Sequence, residues 1–139
     1  MAANMKAYNR TGEQDDESRV AVLVVEDEAA AREASELYLA YCGYDVETAA
    51  DASSALESAE QQVPNVLVCD WRLGAGGDGV EVARTIQEKF GVPVIFMTAH
   101  PMDELREATT DLNVSGFLRK PISLAVLADF VESASAETA

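Results

Sequence analysis

Long apolar runs are missing from this chain of 139 residues. No stretch approaches the ~20 residues a transmembrane helix requires, so the sequence offers no membrane-spanning candidate. The opening Met1-Ala2-Ala3-Asn4-Met5-Lys6 contains no apolar core of the kind a secretory signal needs. Cysteine is scarce. Cys42 and Cys69 are too few for a disulfide framework, and both read as reduced packing residues of a cytoplasmic protein. Positive charge is in short supply too, with 10 Lys and Arg against 25 Asp and Glu and a net charge of −15. Phosphate backbones are gripped by basic patches, so that balance argues against nucleic acid as a direct partner. Taken alone, the acidity also fits ordinary solubility. Only 8 Gly and 4 Pro interrupt a composition that is 48% hydrophobic, which suits one globular domain with its own core.

Residues 1–19 form an acidic lead-in with no apolar periodicity, including the charge run Glu13-Gln14-Asp15-Asp16-Glu17-Ser18. From Val20 the pattern alternates strand and helix. Val20–Val25, Tyr44–Thr48, Val66–Asp70, Val92–Met97 and Gly116–Leu118 read as strands. Between them, Ala30, Ala34, Leu37, Tyr38 and Tyr41 form one helical stripe closed by Gly43. Ala52, Ala55, Leu56 and Ala59 mark a second helix with Asp51 as N-cap, and Val82, Ala83, Ile86 and Phe90 a third that ends at Gly91. A weaker helix follows from Pro101 to Leu112, and Leu124, Leu127, Ala128 and Val131 carry the last. Five βα units predict a doubly wound five-stranded parallel sheet with right-handed crossovers, spanning 20–135 and leaving 136–139 as a tail.

What the strands end on is the informative feature. Glu26 and Asp27 close the first strand, Asp70 closes the third, Thr98 and Ala99 follow the fourth, and Lys120 follows the fifth. Ligands of open α/β sheets sit outside the carboxyl ends of the strands, so these residues converge on one edge. Two carboxylates about 5 Å apart at an effective dielectric of 20 repel by about 3 kcal/mol. A cluster of three calls for a divalent cation and a lysine to balance it. Taken singly, each motif has a structural explanation as well. Glu26-Asp27 suits any helix N-terminus, Asp70 opens a glycine-rich turn, Thr98 suits an N-cap, and Lys120-Pro121 suits a surface turn. Their joint order is what carries the chemistry.

Val24-Val25-Glu26-Asp27-Glu28, Leu67-Val68-Cys69-Asp70, Met97-Thr98-Ala99 and Arg119-Lys120-Pro121 together resemble the landmarks of response-regulator receiver domains of two-component signalling. The likeness spans about 20–135. It implies a flavodoxin-like (βα)5 fold of strand order 2-1-3-4-5, as in the chemotaxis regulator. It implies that Asp70 accepts a phosphoryl group from a histidine kinase or phosphotransfer protein. Mg2+ would be held by Asp27, Asp70 and the Arg72 carbonyl, with Glu26 joining through water. Thr98 and Lys120 would contact the phosphoryl oxygens, and Thr98 and Phe117 would form the switch. The result would be signalling by contact with a downstream protein, with phosphorylation-dependent dimerisation as an option and no catalysis beyond the domain's own phosphotransfer and dephosphorylation.

Two departures from the family pattern stand out. Gly74 and Gly76-Gly77 replace the usual proline after the acceptor, in a loop one residue longer, which predicts a more flexible loop. Arg72 and His100, two residues beyond Asp70 and Thr98, are both large and polar where the family tunes dephosphorylation. They are expected to shield the acyl phosphate from water, although His100 as a general base would do the reverse. The sequence after the last helix is too short to be read as an output domain. A full-length chain would thus be a stand-alone receiver or phosphorelay intermediate, and an excised one part of a larger regulator or hybrid kinase. A haloacid-dehalogenase-type phosphatase would need an acid at position 72, where Arg72 stands. A purely docking scaffold would lack the acceptor or the lysine, and both are present.

Overall fold

The computed structural model describes residues 19–138. The expected lead-in, apart from Arg19, lies outside them. The chain alternates β1 (Ala21–Val25), α1 (Ala29–Tyr41), β2 (Asp45–Ala49), α2 (Ala52–Gln61), β3 (Val66–Asp70), α3 (Gly79–Phe90), β4 (Val94–Thr98), α4 (Met102–Ala108), β5 (Val114–Arg119) and α5 (Leu124–Ser135). The strands form one parallel sheet in the order β2-β1-β3-β4-β5. Among the described residues no helix is long and apolar enough to cross a membrane.

Strand side chains alternate faces, so each strand feeds two cores. Leu23, Val25, Leu67, Cys69, Val94 and Phe96 pack with α2, α3 and Leu105 of α4. Val22, Val24, Val66, Val68, Ile95 and Met97 pack with Leu39 of α1 and Leu127, Val131 and Ala134 of α5. Burying one such side chain contributes roughly 1.5–3 kcal/mol. Both β3 and β4 are buried at every position, as central strands of a doubly wound sheet should be.

Helix ends follow local chemistry. Asp51 Oδ1 accepts the Ser54 N–H at 2.8 Å, and Asp78 Oδ1 accepts the Val80 N–H at 2.8 Å. Ser123 caps α5 through Val126 N–H, and Gly91 ends α3 in the left-handed region at φ 72°. The Asp78 cap starts α3 at Gly79, ahead of the first apolar mark Val82, and the helix ends at Gly91 as expected. α4 is shorter than its expected span to Leu112, because Thr109 Oγ1 turns back onto the Leu105 and Arg106 carbonyls and closes the helix. β5 extends two residues earlier than Gly116, past a register irregularity at Val94/Ile95. Beyond Ser135, Ala136–Thr138 make one 3-10 turn, and Glu137 accepts from Ser115 Oγ at 2.8 Å.

Two expectations need correction. α1 does not bury the Ala30, Ala34, Leu37 and Tyr41 stripe. It buries Ser35 and Leu39, leaving Leu37 65% and Tyr41 88% exposed. A helix carrying five alanines presents nearly equal apolar faces, so the sheet, not the pattern, chooses which one is covered. Cys42 is likewise no packing residue: it caps α1 in the open, and only Cys69 is buried.

Candidate functional site

Side chains from the C-terminal ends of β1, β3 and β5 come together at one edge of the sheet, that of Lys120 reaching across β4. β3 delivers Asp70 as its last residue, beside Met97 of β4. The ladder continues one step further, with Trp71 N–H donating to the Met97 carbonyl at 3.0 Å. Lys120 follows β5, its N–H donating to the Thr98 carbonyl at 2.9 Å, and precedes a cis Pro121. From there its Nζ donates 2.7 Å hydrogen bonds to both Glu26 Oε1 and Asp70 Oδ2. Both carboxylates are almost wholly buried. Asp27 completes the group from the exposed side, and one oxygen from each of Glu26, Asp27 and Asp70 lies within 4.8 Å of the others.

Burial drives the electrostatics of this cluster. Loss of hydration pushes the Asp70 carboxyl up to about 6, and the Glu26 charge adds to that while Lys120 opposes it. Burial also acts to lower Lys120, but hydrogen bonds to Asp70 and Glu26 outweigh it and hold the ammonium above its ordinary range. The Cys69 thiol is pushed up by burial and then by the Asp70 charge, so it stays protonated. When all are ionised, three carboxylates against one ammonium leave two negative charges, which a divalent cation would balance. An all-oxygen set of this kind suits Mg2+, which takes one or two carboxylates together with phosphoryl oxygens and water.

The β1–α1 loop that holds the acids is itself braced. Glu26 Oε2 accepts the Glu28 N–H at 3.1 Å, and Arg32 Nη1 donates to the Glu26 carbonyl at 3.0 Å. Arg32 was not legible as part of the site. Its only sequence signal is a basic residue one turn into a helix that starts beside two acids. The glycine-rich loop after Asp70 runs close to its neighbours at two of its glycines. Gly74, at φ 61°, lies so close to Asp27 that an added Cβ would sit 3.3 Å from Oδ2, and one at Gly76 would sit 2.8 Å from Asp51 Cβ. Glycine here permits close approach to both neighbouring loops. At Gly79 a Cβ would run into the Asp70 carbonyl oxygen.

Thr98 is fully buried at the end of β4, with Oγ1 accepting the His100 N–H at 2.8 Å. Phe117 of β5 is partly buried opposite Phe96, its ring stacked on Phe96 at 6.3 Å between centroids, and the Arg106 guanidinium of α4 lies 4.4 Å from it. Arg72 and His100 do not meet the acids directly. Arg72 lies over the Trp71 ring at 4.0 Å, and His100 meets that ring edge-on at 6.1 Å. Trp71 was missed as a member of the site, since nothing in its position marks it apart from a core aromatic. Beside Lys120 a cavity of about 510 Å3 opens between α1 and Ile122, floored by Met97.

The family model described as response regulator receiver domain matches residues 22–132. The signal receiver domain of a modulated diguanylate cyclase from Desulfovibrio desulfuricans G20 is 28% identical, with a TM-score of 0.78 over 86% of this chain and 95% of that one. The N-terminal domain of a response regulator/sensory box/GGDEF 3-domain protein from Carboxydothermus hydrogenoformans is 31% identical, with a TM-score of 0.77 over 85% and 95%. A response regulator receiver domain protein from Methanospirillum hungatei JF-1 shares the fold at 22% identity, with a TM-score of 0.80 over 86% and 95%.

Proposed function

The chain belongs to the response regulator receiver domain family of phosphorylation-activated signalling switches, and we propose that Asp70 is its phosphoacceptor. The observation that supports the assignment is a buried Asp70 that shares Lys120 with Glu26 and has an oxygen within 4.8 Å of one from each of Glu26 and Asp27. An aspartate is a legitimate covalent acceptor. One Asp70 oxygen forms the new O–P bond while the N–P bond of a phosphohistidine breaks, and that electron pair stays on the imidazole nitrogen.

Transfer of this kind is mainly positioning and charge neutralisation. Receiver domains bind Mg2+ through acidic residues, and here Asp27, Asp70 and the Arg72 carbonyl would hold it, with Glu26 joining through water. The ion supplies charge neutralisation between the carboxylates and the phosphoryl oxygens. Lys120 already hydrogen-bonds the acceptor and can transfer its donation to a phosphoryl oxygen. Thr98 supplies a neutral hydroxyl at the end of the next strand. Turning that hydroxyl towards the phosphoryl group would disturb the His100 N–H it now accepts and open space for Phe117. That would be a local contact change at a switch, with the Phe117 ring as the element that repacks. The partners are a sensor histidine kinase or histidine phosphotransfer protein in the cytoplasm and a downstream protein target, with phosphorylation-dependent dimerisation as one form of output. The domain would promote only its own phosphorylation and dephosphorylation.

Beryllofluoride with Mg2+ tests the assignment, because it mimics an acyl phosphate on a carboxylate. It should shift the amide NMR signals around Asp70, and Asp70→Asn should abolish the response. Retention of the response in that variant would refute the assignment.

A further inference from the structure

Arg72 stands two residues beyond Asp70, and among the described residues its guanidinium has no carboxylate partner. In a chain with 25 acidic residues it rests instead on an aromatic ring, 4.0 Å above Trp71. That ring is a fixed platform. The side chain is buried, with Trp71 only 5% exposed, and its backbone is anchored on both sides, the backbone N–H donating to the Met97 carbonyl at 3.0 Å and the backbone carbonyl accepting the Gly79 N–H at 2.6 Å. Arg72 itself is exposed, and its backbone is held in a bridge with Asp78.

We propose that Arg72 is a two-position cation, laid on Trp71 while Asp70 is unmodified and paired with the phosphoryl oxygens once Asp70 carries the group. The proposal rests on Asp70 as acceptor. A solvent-exposed guanidinium resting on an aromatic ring is held weakly. The same planar fork binds phosphoryl oxygens bidentately and through charge-assisted hydrogen bonds, which is the stronger contact. The stronger site exists only after modification, so arrival of the phosphoryl group draws Arg72 off the ring. Arg72 thereby favours the modified state over the unmodified one. The separation leaves a signature, since Trp71 is the chain's one tryptophan and loses a cation from its face.

The test titrates beryllofluoride into the Mg2+-loaded full chain, following Trp71 emission and, in parallel, heat of binding. Adding beryllofluoride should change the emission beyond the effect of Mg2+ alone. Arg72→Met should remove that step and weaken beryllofluoride binding about tenfold, or ~1.4 kcal/mol. Arg72→Lys, which keeps the charge without the fork, should recover only part of the affinity. His100→Ala should keep the emission step, because the step belongs to Arg72. Unchanged affinity and emission in Arg72→Met, or a step lost only in His100→Ala, would overturn the proposal while leaving Asp70 as acceptor. Failure of the parent chain to bind beryllofluoride would overturn the acceptor assignment and this proposal with it.

Discussion

Replacing Lys120 by Met should destabilise the fold in a way that depends on both pH and Mg2+. The substitution keeps most of the side-chain volume but strands two carboxylates that each receive a 2.7 Å hydrogen bond from Nζ and are only 2% and 4% exposed. Removing one partner of a buried ion pair costs about 3–5 kcal/mol. The Lys120 side chain is 22% exposed, and water reaching the site trims the expected loss to about 2–3 kcal/mol at pH 8. Asp70 titrates near 6 in the folded protein, above its ordinary 3.8. The folded state therefore binds that proton more tightly than the unfolded chain does. Asp70's contribution is at its most favourable below about pH 3.8 and declines as pH rises through 6. Without Lys120 the folded-state value climbs further, so the gap between variant and parent should be small at pH 5 and widen towards pH 8. Saturating Mg2+ should narrow it at pH 8, because a cation bound to the native cluster stabilises that state alone. Urea unfolding monitored by far-UV circular dichroism reads this as a midpoint shift of ~1 M, for a typical slope of about 2 kcal/mol per molar. A gap below about 1 kcal/mol, or one insensitive to both pH and Mg2+, would refute the reasoning.

Asp27→Asn should reduce Mg2+ affinity at least about tenfold by calorimetry and leave the metal-free protein about as stable, because Asp27 is exposed and Glu26 and Asp70 keep their lysine. Gly79→Ala should cost about 3 kcal/mol or more in urea unfolding, since the new Cβ collides with the Asp70 backbone and no flexible side chain can yield. Hydrogen exchange with beryllofluoride should change in α4, β5 and α5 and leave α1 unaltered. α4 buries only Leu105 and is the helix with the fewest anchors, so changes confined to α1 would contradict the switch model. Loss of phosphate from Asp70 should be faster in both Arg72→Ala and His100→Ala if the two side chains shield the acyl phosphate. Slower loss in His100→Ala would show that the imidazole activates water instead.

The buried parallel strands were readable because burial on both faces demands continuous β-branched runs, and such runs survive any uncertainty about neighbours. Val66–Asp70 is the clearest case, expected and found with the same ends. Helix boundaries were less legible, since they depend on which polar side chain captures which backbone group. Thr109, inside the span expected to be helical, folds onto the Leu105 and Arg106 carbonyls and shortens α4, while Asp78, in the glycine-rich stretch, caps the start of α3. Within the site, the acids and the lysine were legible as strand-end residues. Arg32, Trp71 and Arg106 were not, because their partners are carbonyls and rings that no spacing rule announces.

Residue types and their order by themselves determined the alternating βα architecture, the edge on which Glu26, Asp27, Asp70, Thr98 and Lys120 gather, and the clustering of acidic charge there. These follow from the period of apolar residues and the placement of charged residues at strand ends, which hold whatever the detailed packing. Tertiary structure alone decided that α1 turns Leu39 and not Leu37 to the sheet, and that the glycine loop is packed against Asp27. It also decided that Arg72 lies on Trp71 and away from the acids. Each of those outcomes is a choice between local alternatives of nearly equal energy, a second apolar helix face or a second resting place for a long cation. Contacts made by residues distant in sequence settle such choices, and they exist only once the chain has folded.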